Sequence, residues 1–140
     1  MKYITIAALL ASLSTSTIDV PRVALKETIE KVDVLIPAII YVESRGNDSA
    51  IGDGGLAVGC LQIHPILVRE CNRILNSGIY TLEDRYSRSK SIEMFNVIRS
   101  NIKKGTNEEI ARRWNGGPNG HHKSATLKYW SKVKNQMEKL

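Results

Sequence analysis

With 140 residues, 42% of them hydrophobic and 24% charged, the chain is long enough for one domain with a substantial core and too short for two. That balance excludes an intrinsically disordered or low-complexity protein. The formal charge of +6 favours anionic partners without choosing among nucleic acid, anionic lipid and acidic cell-wall polymer. Only Lys103–Lys104 and Arg112–Arg113 place basic residues side by side, so no nucleic-acid-binding stripe stands out.

Met1–Ser16 reads as a short signal peptide, with Lys2, an apolar run from Ile4 to Leu13, and Ser14, Thr15 and Ser16 as small residues suited to cleavage. The run is too short for a stable membrane anchor. An N-terminal helix of the domain is the alternative, and residues 17–140 then form the domain proper. Pro21–Asp33 has helical spacing of Val23, Leu25, Ile29 and Val32. A second helix is expected from Leu35 to Ser44, with Pro37 in its first turn and Gly46 stopping it.

This second helix carries the first chemically suggestive feature. Glu43 follows Ile39 by four positions and Ile40 by three, so a carboxyl group shares a helix face with aliphatic side chains. Desolvation there penalises the charged form and raises the pKa, as suits a general acid near neutral pH. A surface glutamate in a last turn is the plain alternative. Asn47–Gly59 is rich in glycine and holds Asp48 and Asp53, which predicts a loop or small hairpin.

The next helix is expected over Pro65–Leu75, with Ile66, Leu67, Ile74 and Leu75 on its buried side. Asn76, Ser77 and Gly78 break it. Thr81–Asp84 has the form of a capping box before a short helical turn. Ser89 or Ser91 is expected to cap a longer helix running through Ile92, Met94, Phe95, Ile98 and Ile102 and ending before Gly105. Asn107 is expected to cap Glu108–Trp114, whose two leading glutamates suit the positive end of the helix dipole. Asn115–Gly120 is a break, and a last helix carries Leu127, Tyr129, Trp130 and Val133. The chain therefore reads as mainly α. Cys60 and Cys71 are too few for a disulfide scaffold or a structural zinc site; one bridge or two buried thiols both remain open.

Three separated pieces, Glu43–Ser44, then Gly59-Cys60-Leu61-Gln62-Ile63, then Ala111-Arg112-Arg113-Trp114-Asn115-Gly116-Gly117, resemble the Glu-Ser, Gly-Leu-Met-Gln-Ile and Ala-x-x-Tyr-Asn-x-Gly motifs of lysozyme-like proteins. These include lytic transglycosylases and goose-type lysozymes. Order and approximate spacing agree over about residues 30 to 135, and the tail through Tyr129–Val133 looks most like small members from phages and bacteria.

The resemblance implies an α+β lysozyme-like fold, mostly helical, with a small Gly-rich loop or hairpin beside a cleft for a peptidoglycan glycan strand. The bond cleaved would be the β-1,4 link between N-acetylmuramic acid and N-acetylglucosamine, with Glu43 as general acid. Ser44 would contact substrate or brace the acid, if it is more than a helix-end hydroxyl. Gly59 would let a sugar approach the backbone, Gln62 would supply an amide beside Ile63, and Asn115 with Gly116 would meet the N-acetyl group. Trp114 stands where the family has Tyr, whose hydroxyl supports the acid; an indole N–H donates but cannot accept. Trp114 would then be an apolar wall against Glu43, or simply core.

Hydrolysis with inversion needs a second carboxylate to hold a water. Goose-type lysozymes keep an Asp nine residues before the motif glutamine, where Asp53 stands, and an acid two residues after it, where this chain has His64. Asp53 could equally be a loop-forming residue beside glycine. A lytic transglycosylase needs only Glu43, since the C6 hydroxyl of the sugar attacks C1 and leaves a 1,6-anhydro end. No metal or organic cofactor is implied. His64, His121 and His122 have no partners at metal-ligand spacing, and the adjacent pair reads as a solvated helix start or cleft rim. Two readings of other kinds compete: a silent glycan-binding module of a virion or secretion assembly, and a basic nucleic-acid-binding bundle. The enzyme reading carries with it an exported or virion-associated location.

Overall fold

A computed structural model describes residues 33–140 except Lys104; the apolar Met1–Ser16 segment and the helix expected over Pro21–Asp33 lie outside the described residues, Asp33 apart. Among the described residues five α-helices follow in order: α1 (Leu35–Ser44), α2 (Pro65–Ile74), α3 (Arg88–Ser100), α4 (Asn107–Gly116) and α5 (Leu127–Met137). Between α1 and α2 lies the only sheet among the described residues, an antiparallel hairpin of β1 (Ile51–Gly52) and β2 (Ala57–Val58). The protein is thus mainly helical with one small two-stranded sheet. None of these helices is long and apolar enough to cross a membrane.

Helix α1 is apolar almost all round, and it runs through the centre of the core. Leu35, Ala38 and Ile39 are fully enclosed, together with Leu61, Ile63, Cys71, Met94, Phe95 and Val133 from the other elements. Asp33 starts the helix by accepting the Leu35 N–H at 3.1 Å, and the same carboxylate pairs with Arg99 of α3. Arg45 ends it in a left-handed conformation, followed by Gly46, close to the stop expected from the sequence. Helices α1 and α5 pack directly against each other, joining residues far apart in the chain.

Helix caps follow the expected chemistry at shifted positions. Ser87, not Ser89 or Ser91, caps α3, accepting the Lys90 N–H; Ser91 is buried and donates to the Arg85 carbonyl at 3.1 Å. Thr106, not Asn107, caps α4, and its capping box with Glu109 is complete in both directions. At Thr81–Asp84 only half the expected box forms. The Asp84 carboxylate reaches back to the Thr81 N–H at 2.7 Å, and the Thr81 hydroxyl donates to the same carboxylate. A single 3-10 turn, Glu83–Tyr86, results.

The inward face of α2 also differs from expectation. Val68 and Cys71 are the buried residues, whereas Ile66 is 66% exposed and Leu75 is exposed too. Cys60 and Cys71 are both free and buried, so no bridge links them. Burial pushes the Cys71 thiol up to about 11, which keeps it protonated at neutral pH.

The hairpin is tied to the helices by an arginine the sequence did not single out. Arg85 is buried, and its guanidinium donates to the carbonyls of Leu82 (2.7 Å), Leu56 (3.1 Å) and Ile63 (3.3 Å). A buried cation is tolerable only when its donors are used, and three carbonyl oxygens do so here. Its own carbonyl presses against Gly59, whose φ is +81°. A Cβ on Gly59 would lie 1.8 Å from that oxygen, so backbone contact and left-handed conformation both demand glycine. Gly59→Ala is expected to cost at least about 3 kcal/mol, read as a lowered urea midpoint, because neither the backbone of residue 85 nor the φ can relax independently.

Candidate active site

A groove of about 900 Å³ runs beside the C-terminal end of α1. Glu43 stands in it. Gly52, Asp53, Ala57, Gln62 and His64 form the hairpin side; Ile66, Leu67 and Ile74 of α2, Ile98 of α3 and Ile102 just past it form an apolar stretch interrupted by Glu70 and Asn101; Arg113, Trp114, Asn115, Gly117 and Pro118 close the end. Of the apolar residues that sequence reading assigned to the buried side of α2, Ile66, Leu67 and Ile74 line this groove, Leu67 also packing against the core, and Leu75 does not reach it.

Glu43 is half-buried, and burial is the main force raising its pKa above the ordinary glutamate value. Two donors oppose that. The Tyr129 hydroxyl of α5 donates to Glu43 Oε1 at 2.7 Å, and the Trp114 indole lies near enough to favour the charged form. The negative charge of Asp53 pushes the pKa up slightly, and His64 lowers it. Burial wins, so the carboxyl holds its proton to higher pH than a surface glutamate. Tyr129 responds in kind, since burial and the adjacent Glu43 push its own pKa well up, and its proton stays on the phenol.

Sequence reading missed Tyr129 as a site residue. It sits in an amphipathic helix where a tyrosine fits a core pattern, and only the tertiary packing of α5 on α1 aims it at Glu43. Trp114 completes the wall. Its ring packs on Phe95 with centroids 4.8 Å apart and planes tilted by 54°. Trp114 thus packs on the core while its indole stays close to the acid, and the hydroxyl expected at its position comes from Tyr129.

The hairpin side is held by Gln62. Its backbone is left-handed, with φ of 50°, and its side-chain amide N–H donates to the carbonyls of Gly59 (2.9 Å) and Ala50 (3.3 Å). Those bonds occupy the donor that was expected to face a sugar, leaving the carbonyl Oε1, which lies against Gly52. Across the groove edge, Asp53 Oδ2 lies 2.9 Å from His64 Nε2, with the aspartate side chain 68% exposed. Asp53 also has positive φ, at 47°.

Four residues expected to touch substrate do other work. Ser44 donates to the Cys60 carbonyl at 2.8 Å, pinning the end of α1 to the loop that carries Gln62. Gly59 faces the Arg85 backbone, as above. The Ile63 side chain is buried in the core, and its backbone pairs with Val58. Gly116 packs on Thr126, where a Cβ would approach the methyl to 2.6 Å, and its carbonyl accepts from Lys123. Asn115 is exposed on the groove and is free to meet a ligand. Arg113 donates to the Pro118 carbonyl at 2.6 Å and lies 3.1 Å from His121 Nε2, bracing the rim. Desolvation, followed by the Arg113 charge, lowers the His121 pKa and favours a neutral ring that accepts the guanidinium proton.

No group of three or more His, Cys, Asp or Glu residues among those described is arranged to hold a metal ion. No protein-family model matches the chain, and no curated protein matches it.

A raised acid has a signature in folding. Its neutral form is favoured in the folded state, so its contribution to stability is fully present below pH 4.5 and is lost as pH rises through the folded value. Glu43→Gln keeps an acceptor for Tyr129 and carries no charge. Its Tm should exceed the wild-type value at pH 7, with the gap closing below pH 4.5; thermal melts across pH measure it.

Proposed function

We propose that the protein is a peptidoglycan-cleaving muramidase, with Glu43 as general acid at the β-1,4 bond between N-acetylmuramic acid and N-acetylglucosamine. The observation that carries this reading is a carboxyl group whose pKa is raised by burial, hydrogen-bonded by Tyr129, in a groove large enough for a glycan strand. The motif resemblance of the Glu43, Gln62 and Asn115 segments supplies the substrate class.

In the chemical step Glu43 gives its proton to the glycosidic oxygen as the C1–O bond breaks. The carboxylate left behind keeps the Tyr129 O–H bond, which is stronger to an anion than to a neutral acid. Tyr129 is therefore a positioning residue that also favours the charged product of proton transfer. Hydrolysis then requires a water to add to C1 and lose a proton to a base. Asp53, on the hairpin side of the same groove, is the carboxylate for that role, with His64 fixing its side chain.

The second reading, a lytic transglycosylase, draws on the exposure of Asp53 and on its prior engagement with His64. There the C6 hydroxyl attacks C1, its proton passes to the Glu43 carboxylate, and a 1,6-anhydro end forms without water.

Mass spectrometry of muropeptides released from purified peptidoglycan separates these outcomes. Reducing ends support hydrolysis, and anhydro ends support the second reading. Glu43→Gln is expected to lower release about 10²–10⁴-fold; unchanged release would remove Glu43 from the mechanism. Asp53→Asn should abolish reducing ends under the first reading and leave anhydro ends intact under the second. Tyr129→Phe removes a donor to the carboxylate, so the Glu43 pKa should rise further and the alkaline limb of the kcat/KM profile should move to higher pH, with kcat reduced. An unmoved limb would show that the hydroxyl acts on packing alone.

A further inference from the structure

A second concavity, about 300 Å³, lies between α1 and α5 and shares no lining residue with the groove. Its walls bring together Arg45, Lys132 and Lys139, the amides of Asn135 and Gln136, and the ring of Tyr41. Among the described residues no carboxylate lines it, and none of the three cations forms an ion pair. Elsewhere four arginines do pair with carboxylates: Arg73 with Glu70, Arg88 with Asp48, Arg99 with Asp33 and Arg112 with Glu108.

Helix dipoles account for part of this arrangement. Arg45 caps α1 and Lys139 lies just past α5, where the negative ends of the helices favour cations. They do not account for Lys132, which sits in the middle of α5. Arg45 is also held in place, its guanidinium carbon 4.4 Å from the centre of the Tyr41 ring. That contact orients the guanidinium without neutralising it. Three like charges around one small cavity favour entry of an anion.

We propose that this concavity is a binding site for a phosphate group, as a phosphomonoester or phosphodiester, separate from the Glu43 groove. A phosphate presents more acceptor oxygens than a carboxylate, and the planar Arg45 fork, two ammonium groups and two side-chain amides together offer donors to match them. The cavity volume exceeds that of a bare phosphate, leaving room for the attached glycerol or sugar against the Tyr41 ring. A chain that carries this site and works on a polymer could use it to hold phosphate-bearing material beside its groove, but the site stands on its own residues and needs nothing from Glu43.

Backbone amide NMR of the full chain tests it, with inorganic phosphate titrated against sodium chloride at matched ionic strength. Saturable shifts centred on Tyr41, Arg45, Lys132 and Lys139, absent with chloride, are expected. Lys139→Glu, outside any helix, and Lys132→Glu should each weaken binding about tenfold or more, while Glu43→Gln should leave it unchanged. Two further probes identify the source of the phosphate. Tighter binding of poly(glycerol phosphate) through the same residues indicates a soluble phosphodiester chain, and of phosphatidylglycerol vesicles, a lipid headgroup. Equal shifts with chloride, affinity unaffected by the charge reversals, or shifts centred on Arg112 and Arg113 would overturn the proposal.

Discussion

The hydrogen bond from Tyr129 to Glu43 joins the first and last helices of the described unit, across 86 positions of sequence. It forms only if α5 lies along α1, and that packing in turn depends on Val133 entering the core beside Leu35 and Ile39. The bond has two effects on the acid that oppose each other. Packing α5 over α1 buries the carboxyl and raises its pKa, while the hydroxyl brought by the same helix lowers it. Burial is the larger, so the group holds its proton to higher pH than a surface glutamate and has a ready partner for the charge it acquires on losing that proton.

The hairpin side is organised by a different device. Arg85 gathers the carbonyls of Leu56, Ile63 and Leu82, and its backbone abuts Gly59. That fixes the tight loop from Gly59 to Gln62, whose left-handed glutamine is stabilised by its own amide bonded back to Gly59 and Ala50. Non-glycine residues with positive φ cost energy and persist where the surroundings over-determine them. Asp53 and Gln62 both adopt such a backbone, and both line the groove. Ser44 then locks this assembly to the end of α1 through the Cys60 carbonyl. The two walls of the groove are thus held in register at the residue next to the acid.

Much of the helical layout was legible in the chain because apolar spacing and glycine breaks act locally. The limits of α1, the end of α2 near Asn76 and the glycine-rich hairpin all come from such signals. Caps were found one or two residues from where they were expected, since Ser87, Ser89 and Ser91 offer the same chemistry and only the packing decides. Glu43 was legible because its aliphatic neighbours lie one helical turn away. Tyr129 and Arg85 were not, because each acts through contacts set by tertiary packing. The face of α2 was misread for a related reason. Periodicity identifies an apolar stripe but cannot say whether core or groove covers it, and here Ile66, Leu67 and Ile74 line a concavity.

The same reasoning explains why Ser44, Gly59 and Gly116 make contacts within the fold while polar groups near them line the groove. Ser44, Ile63 and Gly116 lie next to Glu43, Asp53's partner His64, and Asn115, and Gly59 lies three positions before Gln62. Neighbours in a helix or an extended segment point to different sides. Each motif therefore has an inward residue that locks a backbone and an outward one that faces the groove. A motif of this kind is short because both jobs must be done within one turn of chain. Changing the inward residue displaces the outward one even though it never meets a ligand. For the groove described here, the distance from Glu43 to the hairpin side depends as much on Gly59 fitting against Arg85 as on any side chain that reaches the groove.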